Sequence, residues 1–415
     1  MRKIIVLVLG TASAGELTIA YEFVSRLPKD RYQVLFIIPA KYSGYLDNKG
    51  FRYIDLDVCE KKEKNRDIIF RSIDSFSPDY LFISDVYTLE YSASWSGVRF
   101  YDLKNMHIPV IGVDEYEFAS TNYCVDYYGA NCKKLPPFIE ECDFIVRDCP
   151  INNHIRGGKN IWYFSLYNKI PEIREKDKLE VRKKLGIEDD EKIIFTTTSY
   201  WESINMHQIP ALNSFIKWIP VLLLNYISEL NRKVAIIHVG CNQWPVPAGR
   251  KIKYFHFDSL LPSDFDMFLT SCDLFLTLNI VSVTLTKAIF ANVPCIVFQN
   301  KKLLRFSKLK QKLDTMPGWY RMMAEEVRVV YPFRASTFGW YKFLEPVLRD
   351  NKYSGTFIEA PFLKMKEAVS LLDEYLYNQD SIERLKKIQR SFAEEILKLD
   401  TPEKIMREID ARVHG

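Results

Sequence analysis

The sequence predicts an α/β chain of two Rossmann-like domains facing each other across a cleft, with helices at the C-terminus. Three observations carry this expectation. The length of 415 residues is more than one core organises comfortably and suits two domains of roughly 150 to 200 residues. Short aliphatic runs alternate with helical stretches through the first half, the pattern of βα units that build a parallel sheet wrapped by helices. The same rhythm restarts after a polar stretch, Lys169 to Lys184, that contains no apolar run. The expected divisions are therefore 1–167, 168–360 and a helical tail, 361–415.

Taken in order, Ile4 to Leu9 is a continuous aliphatic run ending at Gly10, as buried parallel strands do. It is too short for a secretory leader. A helix follows from Gly15 to Leu27, then strands at Tyr32 to Ile38, Tyr80 to Ile83, Val110 to Val113 and Phe144 to Val146. The second half opens with a strand at Lys192 to Thr196 and a long helix from about His207 to Leu230. Strands at Val234 to Val239, Ile252 to Phe257, Leu274 to Leu278 and Cys295 to Phe298 come next. From Phe362 onward, apolar residues recur at helical spacing (Ala368, Leu371, Leu372, Tyr375, Leu376) with charges on the other face, and two closing helices are expected. The most apolar later stretch, Trp218 to Ile227, is too short to cross a bilayer. No transmembrane segment is expected, and any membrane contact would be peripheral.

Composition narrows the function. The 57 basic and 53 acidic residues are interspersed, with no basic block that could follow a phosphate backbone, which argues against nucleic acid as a partner. Eight cysteines occur without any CxxC pair. Reduced thiols in a cytoplasm fit best, and no metal site is assigned.

In doubly wound domains ligands gather at the carboxyl ends of strands, where helix N-termini present free N–H groups to anions. The first such loop, Gly10-Thr11-Ala12-Ser13-Ala14-Gly15-Glu16, is not GxGxxG, so the dinucleotide fingerprint fails. Asp85 follows one strand of the first half and Asp114-Glu115 another. Each is also what a turn or helix cap would use. In the second half, Thr196 to Tyr200 follows the opening strand with five hydroxyls in a row, beside Trp201, Glu202 and His207. An aromatic segment, Pro332-Phe333-Arg334 and Gly339-Trp340-Tyr341, comes after the second sheet. It either covers the cleft or packs.

Several of these segments resemble GT-B glycosyltransferases, notably the bacterial N-acetylglucosaminyltransferase that completes the peptidoglycan lipid precursor and the UDP-glycosyltransferases. The run Cys272-Asp273-Leu274-Phe275-Leu276-Thr277, the loop and helix from Asn279 to Lys287, and Asn292-Val293-Pro294 before the next strand are similar to that family's donor-binding region. Phe255 to Phe268 resembles the stretch that approaches the donor's base and includes Phe257. The likeness covers about 100 residues of the second half clearly and the first half loosely. It implies a glycosyltransferase that takes a nucleotide sugar, UDP type, as substrate and needs no further cofactor. The acceptor is left open as a small molecule, a lipid-linked molecule or a peptide. In many relatives a histidine after the first-loop glycine orients or deprotonates the acceptor. Asp85, Asp114 and Glu115 are further catalytic candidates from their places at the carboxyl ends of strands, but Gly15-Glu16 stands in the position of that histidine, so the resemblance assigns Glu16 as catalytic base. It assigns Gly15, Thr197, Thr198, Ser199, Phe257, Ser282, Thr284, Thr286 and Lys287 to the donor.

The departures from the family are specific. Where relatives place a glutamate on the donor ribose, this chain has Lys287, and eight positions earlier it has Asn279. A lysine cannot accept a hydrogen bond, so Lys287 is expected to meet a phosphate or carboxylate. The missing glutamate pair favours inversion or an unusual donor. Three alternatives stay open. One is a GT-A enzyme using Asp55-Leu56-Asp57 or Asp264-Phe265-Asp266, which the two-half organisation disfavours. The others are a nucleotide-sugar epimerase of the same architecture and a non-catalytic nucleotide-sugar-binding subunit.

Overall fold

The computed structural model describes residues 1–47, 49–118, 136–155, 157–172, 174–200, 202, 210–246, 251–333 and 340–415. Its first sheet has seven strands: β1 (Arg2–Leu7), β2 (Tyr32–Pro39), β3 (Arg52–Leu56), β4 (Tyr80–Ile83), β5 (Val110–Val113), β6 (Phe144–Cys149) and β7 (Ile161–Ser165). All pairings are parallel, in the order β3-β2-β1-β4-β5-β6-β7. The central strands are aliphatic throughout because helices cover both faces: Ile4, Ile5, Val6, Phe82, Ile83 and Val110 are fully buried.

The second sheet has six strands: β8 (Lys192–Thr198), β9 (Val234–Gly240), β10 (Ile252–Phe257), β11 (Leu274–Thr277), β12 (Cys295–Gln299) and, after the short antiparallel pair β13 (Leu304–Arg305) and β14 (Val329–Val330), β15 (Ile358–Pro361). Its order, β10-β9-β8-β11-β12-β15, repeats that of the first six strands of the first sheet. The chain order therefore reverses twice, between β1 and β4 and between β8 and β11. These switch points are where a doubly wound sheet leaves a crevice for ligands.

The tail forms three helices, Met365–Tyr377, Gln379–Ile396 and Pro402–His414, rather than the two expected. The break between the last two is a capping signal that hydropathy alone does not reveal: Thr401 accepts a hydrogen bond from the Lys404 amide and Pro402 occupies the first helical turn. The last helix returns to the first sheet, where Ile405, Met406 and Ile409 are fully buried. There Asp410 accepts hydrogen bonds from the Tyr32 hydroxyl at 2.5 Å and the Tyr80 hydroxyl at 2.6 Å. Asp410→Ala is expected to destabilise the chain by about 2 kcal/mol, because it leaves two largely buried hydroxyls without their acceptor. A thermal midpoint unchanged from wild type would show that this helix does not depend on the contact. No helix among the described residues is long and apolar enough to cross a membrane.

Candidate active site

The two switch points face one another and enclose a cavity of about 520 Å³, within the range of small-ligand sites. The first domain contributes the loop after β1, residues 12 to 16, together with Glu22, Tyr45, Glu115 and Tyr116. The second contributes the loop after β8, residues 197 to 200 and 202, the segment from Asp258 to Asp266 and the loop after β11 through Lys287. Two helix N-termini meet here. A Cβ placed on Gly15, at the start of helix Gly15–Val24, would lie 3.5 Å from Val283 Cγ2 at the start of helix Val283–Phe290.

On the first-domain wall the chemistry is acidic and buried. Glu16 sits in the first helical turn, with its carboxylate folded back against Gly10. A Cβ on Gly10 would come within 2.2 Å of Glu16 Oε1, so the glycine is required by the glutamate's position. Burial, and then repulsion from Asp85, push the Glu16 carboxyl well above the usual carboxylate range, against hydrogen bonding with Thr88, Gly10 and Ser84. Burial also raises Glu115 well above that range, with Asp85, Glu16 and Asp148 adding repulsion. Asp148, at the end of β6, is pushed up to about 7 mainly by burial. Four carboxyls from four successive chain segments thus share one low-dielectric region, and two of them, Glu16 and Glu115, line the cavity.

Asp85 and Asp114 lie off the cavity lining and carry packing roles. Asp85 caps the helix Val86–Ser96, accepting from the amides of Tyr87 at 2.7 Å and Thr88 at 3.1 Å and from the Thr88 hydroxyl at 2.7 Å. Asp114 accepts from Arg147 Nε at 2.8 Å and from the Phe118 amide at 2.7 Å. Both partners of that ion pair are almost wholly buried.

On the second-domain wall, Ser282 caps its helix by accepting from the Thr284 amide at 3.1 Å. Asn279 closes the preceding loop on itself, its side chain accepting from the Val281 amide at 3.0 Å. Lys287 lines the cavity and is ion-paired with Asp266. Thr286 turns away from the cavity. Its hydroxyl bonds the Val283 carbonyl at 2.8 Å and the hydroxyl of Tyr167, which lies in the chain between β7 and β8, at 2.9 Å. Phe257 packs on Phe268, ring centroids 5.5 Å apart, while the segment just after it, Asp258 to Asp266, reaches the cavity.

The loop after β8 brings Thr197, Thr198, Ser199 and Glu202 to the cavity. Its geometry rests on a relay that sequence reading missed. His238 of β9 bonds Thr198 Oγ1 through Nε2 at 2.8 Å and the Tyr254 hydroxyl through Nδ1 at 2.8 Å, and Tyr254 accepts from the Trp244 amide at 2.8 Å. Burial, with His256 adding to it, lowers the His238 pKa to about 4, so the ring is neutral at physiological pH. Gly240 is needed for close approach, since a Cβ there would come within 2.1 Å of Thr198 Oγ1. Trp201, His207, Arg334 and Gly339 lie outside the described residues.

Solved structures share this architecture over the whole chain. A Listeria monocytogenes protein described as a UDP-N-acetylglucosamine 2-epimerase superposes with a TM-score of 0.58 at 12% identity, covering 100% of this chain and 96% of that one. A glycosyltransferase from Rickettsia africae gives 0.57 at 12% identity, covering 100% and 99%. Anabaena HepE, solved with UDP and glucose, gives 0.55 at 9% identity, covering 99% and 100%. At these identities the likeness establishes the fold, which is GT-B. No curated protein matches the sequence. A family model does match, over residues 23–415: on its GT-B frame, the chain belongs to the family of unknown function DUF6365.

Proposed function

We propose that the protein is a glycosyltransferase that moves a sugar from a nucleoside-diphosphate sugar, UDP type, to an acceptor, with inversion and without a metal. The observation that carries this reading is the asymmetry of the cleft. On the second-domain side the N-terminus of helix Val283–Phe290 stands with Lys287, and on the first-domain side the buried carboxyls of Glu16 and Glu115 line the same cavity. The donor diphosphate lies against Ser282 to Lys287, with Thr197, Thr198 and Ser199 flanking it, where backbone amides, helix dipoles and the Lys287 ammonium stabilise the leaving group. Lys287 exchanges Asp266 for phosphate when the donor enters. Glu16 takes the proton of the acceptor hydroxyl, whose oxygen attacks the anomeric carbon from the face opposite the diphosphate. The fold likeness to HepE, solved with UDP and glucose, supports a nucleotide sugar as ligand.

Lys287→Ala is expected to weaken UDP binding about tenfold, less than a fully buried charge-assisted contact would lose because the side chain is partly exposed. Calorimetric affinity equal to wild type would remove the diphosphate from this wall. Turnover that survives EDTA supports the metal-free part, and turnover that disappears overturns it.

The paired carboxyls also favour a second reading, a nucleotide-sugar epimerase, since two such groups facing the sugar suffice to remove a proton and return it. Product analysis separates the two. A glycoside with free nucleoside diphosphate supports transfer, an isomerised donor supports epimerisation, and binding without turnover marks a non-catalytic subunit.

A further inference from the structure

The lining of the cleft is unbalanced in charge. Among the described residues, six acidic residues line it, Glu16, Glu22, Glu115, Glu202, Asp258 and Asp266, against one basic residue, Lys287. Lys287 stands on the second-domain wall, already paired with Asp266. On the first-domain wall, Glu16 and Glu115 are 9% and 6% exposed, and among the described residues Glu16 Oε2 and Glu115 Oε1 have no hydrogen-bond partner. A carboxyl oxygen left unpaired in a folded chain is costly; these two atoms are buried, but the side chains that carry them line the cavity, so a donor brought to this wall can reach them when the side chains turn toward it. An ammonium suits this wall, because it brings one positive charge and three donors in a compact group.

We propose that the acceptor is an amine-bearing molecule whose ammonium binds between Glu16 and Glu115 on the first-domain wall of the cleft. This inference rests on the glycosyltransferase reading for the word acceptor, but the cation site stands by itself. It also removes a difficulty in the mechanism. In the empty cleft, burial and mutual repulsion favour the protonated carboxyls, and a protonated Glu16 is no base. The groups that act on this pair are Asp85 and Asp148, which add repulsion, with Lys41, Tyr42 and Tyr116 close by. An ammonium entering between them favours the ionised forms, and a carboxyl proton leaves to solvent. Glu16 is then free to accept the proton of the acceptor hydroxyl. That oxygen bonds the anomeric carbon, and the bond from carbon to phosphate oxygen breaks with its electron pair on the diphosphate. The substrate's own charge switches the base on.

The test uses glucosamine, N-acetylglucosamine and glucose as matched probes, titrated into the whole protein by NMR near neutral pH, with UDP titrated separately. Glucosamine is expected to bind at least about tenfold tighter than either neutral sugar, and calorimetry in two buffers of different ionisation enthalpy is expected to show proton release on binding. Glu115→Gln and Glu16→Gln, each checked for a wild-type circular dichroism spectrum, should each reduce that preference. Equal affinity for the three sugars, or no binding by any, overturns the proposal. So does a preference that persists in both glutamine variants. If the amine preference holds while UDP fails to bind, the glycosyltransferase reading falls and the cation site remains.

Discussion

Arg147→Met is expected to destabilise the first domain by about 3 to 5 kcal/mol, the largest loss of stability that the structure implies for one substitution. Arg147 lies on β6 and is 2% exposed. It donates to Asp114 at 2.8 Å and to the Tyr163 hydroxyl at 2.7 Å, and stands 4.0 Å from Glu117. Methionine has similar length and fills much of the volume, so packing is not the main loss. What remains is Asp114, fully buried, without the cation that offset its desolvation, in the same buried region as Glu117. Removing one partner of a buried pair costs far more than replacing the whole pair. Arg147→Met combined with Asp114→Asn should therefore be more stable than Arg147→Met alone, in urea unfolding followed by fluorescence. A single variant within about 1 kcal/mol of wild type would mean that water reaches these carboxylates, and the low-dielectric account of the acidic wall would fail with it.

The central strands were legible because a strand buried on both faces must be a continuous apolar run. Apart from the two-residue pair β13 and β14, the strands that sequence reading missed, β3, β7 and β15, all lie at sheet edges. Their runs, RYIDL, IWYFS and IEAP, mix polar residues and a proline with apolar ones, since an edge has one open side and no need for uniform burial. The place of the cleft was legible from topology alone, because loops at switch points must meet there. Which side chains enter it was not. Asp85, Glu115 and Asp148 each stand at a strand's carboxyl end in sequence, yet Asp85 folds onto a helix cap, Glu115 lines the cavity, and Asp148 lies behind it. That choice is made by rotamer and neighbouring backbone, to which hydropathy is blind. Thr286 was drawn away by Tyr167, 119 residues distant in sequence. The relay through His238 depends on the register that sets Thr196 beside His238 and Thr198 beside Gly240, and no local pattern encodes a register between strands 40 residues apart.

Glu16→Gln is expected to cut turnover by roughly 10² to 10⁴, the usual range for losing a general base, while making the empty protein more stable. The two effects have one cause. Glutamine keeps the shape that packs against Gly10, so the loop after β1 and the UDP affinity should stay as in wild type. What it removes is an ionisable group whose folded pKa is raised well above its ordinary value of 4.5. For such an acid the folded state holds the proton more tightly than the unfolded state. The stability it contributes is complete where both states are protonated, and it is lost as pH rises from the ordinary value through the folded one. The variant escapes that loss. Its thermal midpoint should exceed that of wild type near and above neutral pH, and the difference should shrink as pH falls toward 4.5. A structural glutamate held by favourable contacts would give the opposite sign, with the glutamine variant less stable at neutral pH. Turnover within about twofold of wild type, on the RT ln scale of mutant kinetics, would exclude Glu16 as base and direct the search to Glu115, the other carboxyl of this wall that lines the cavity.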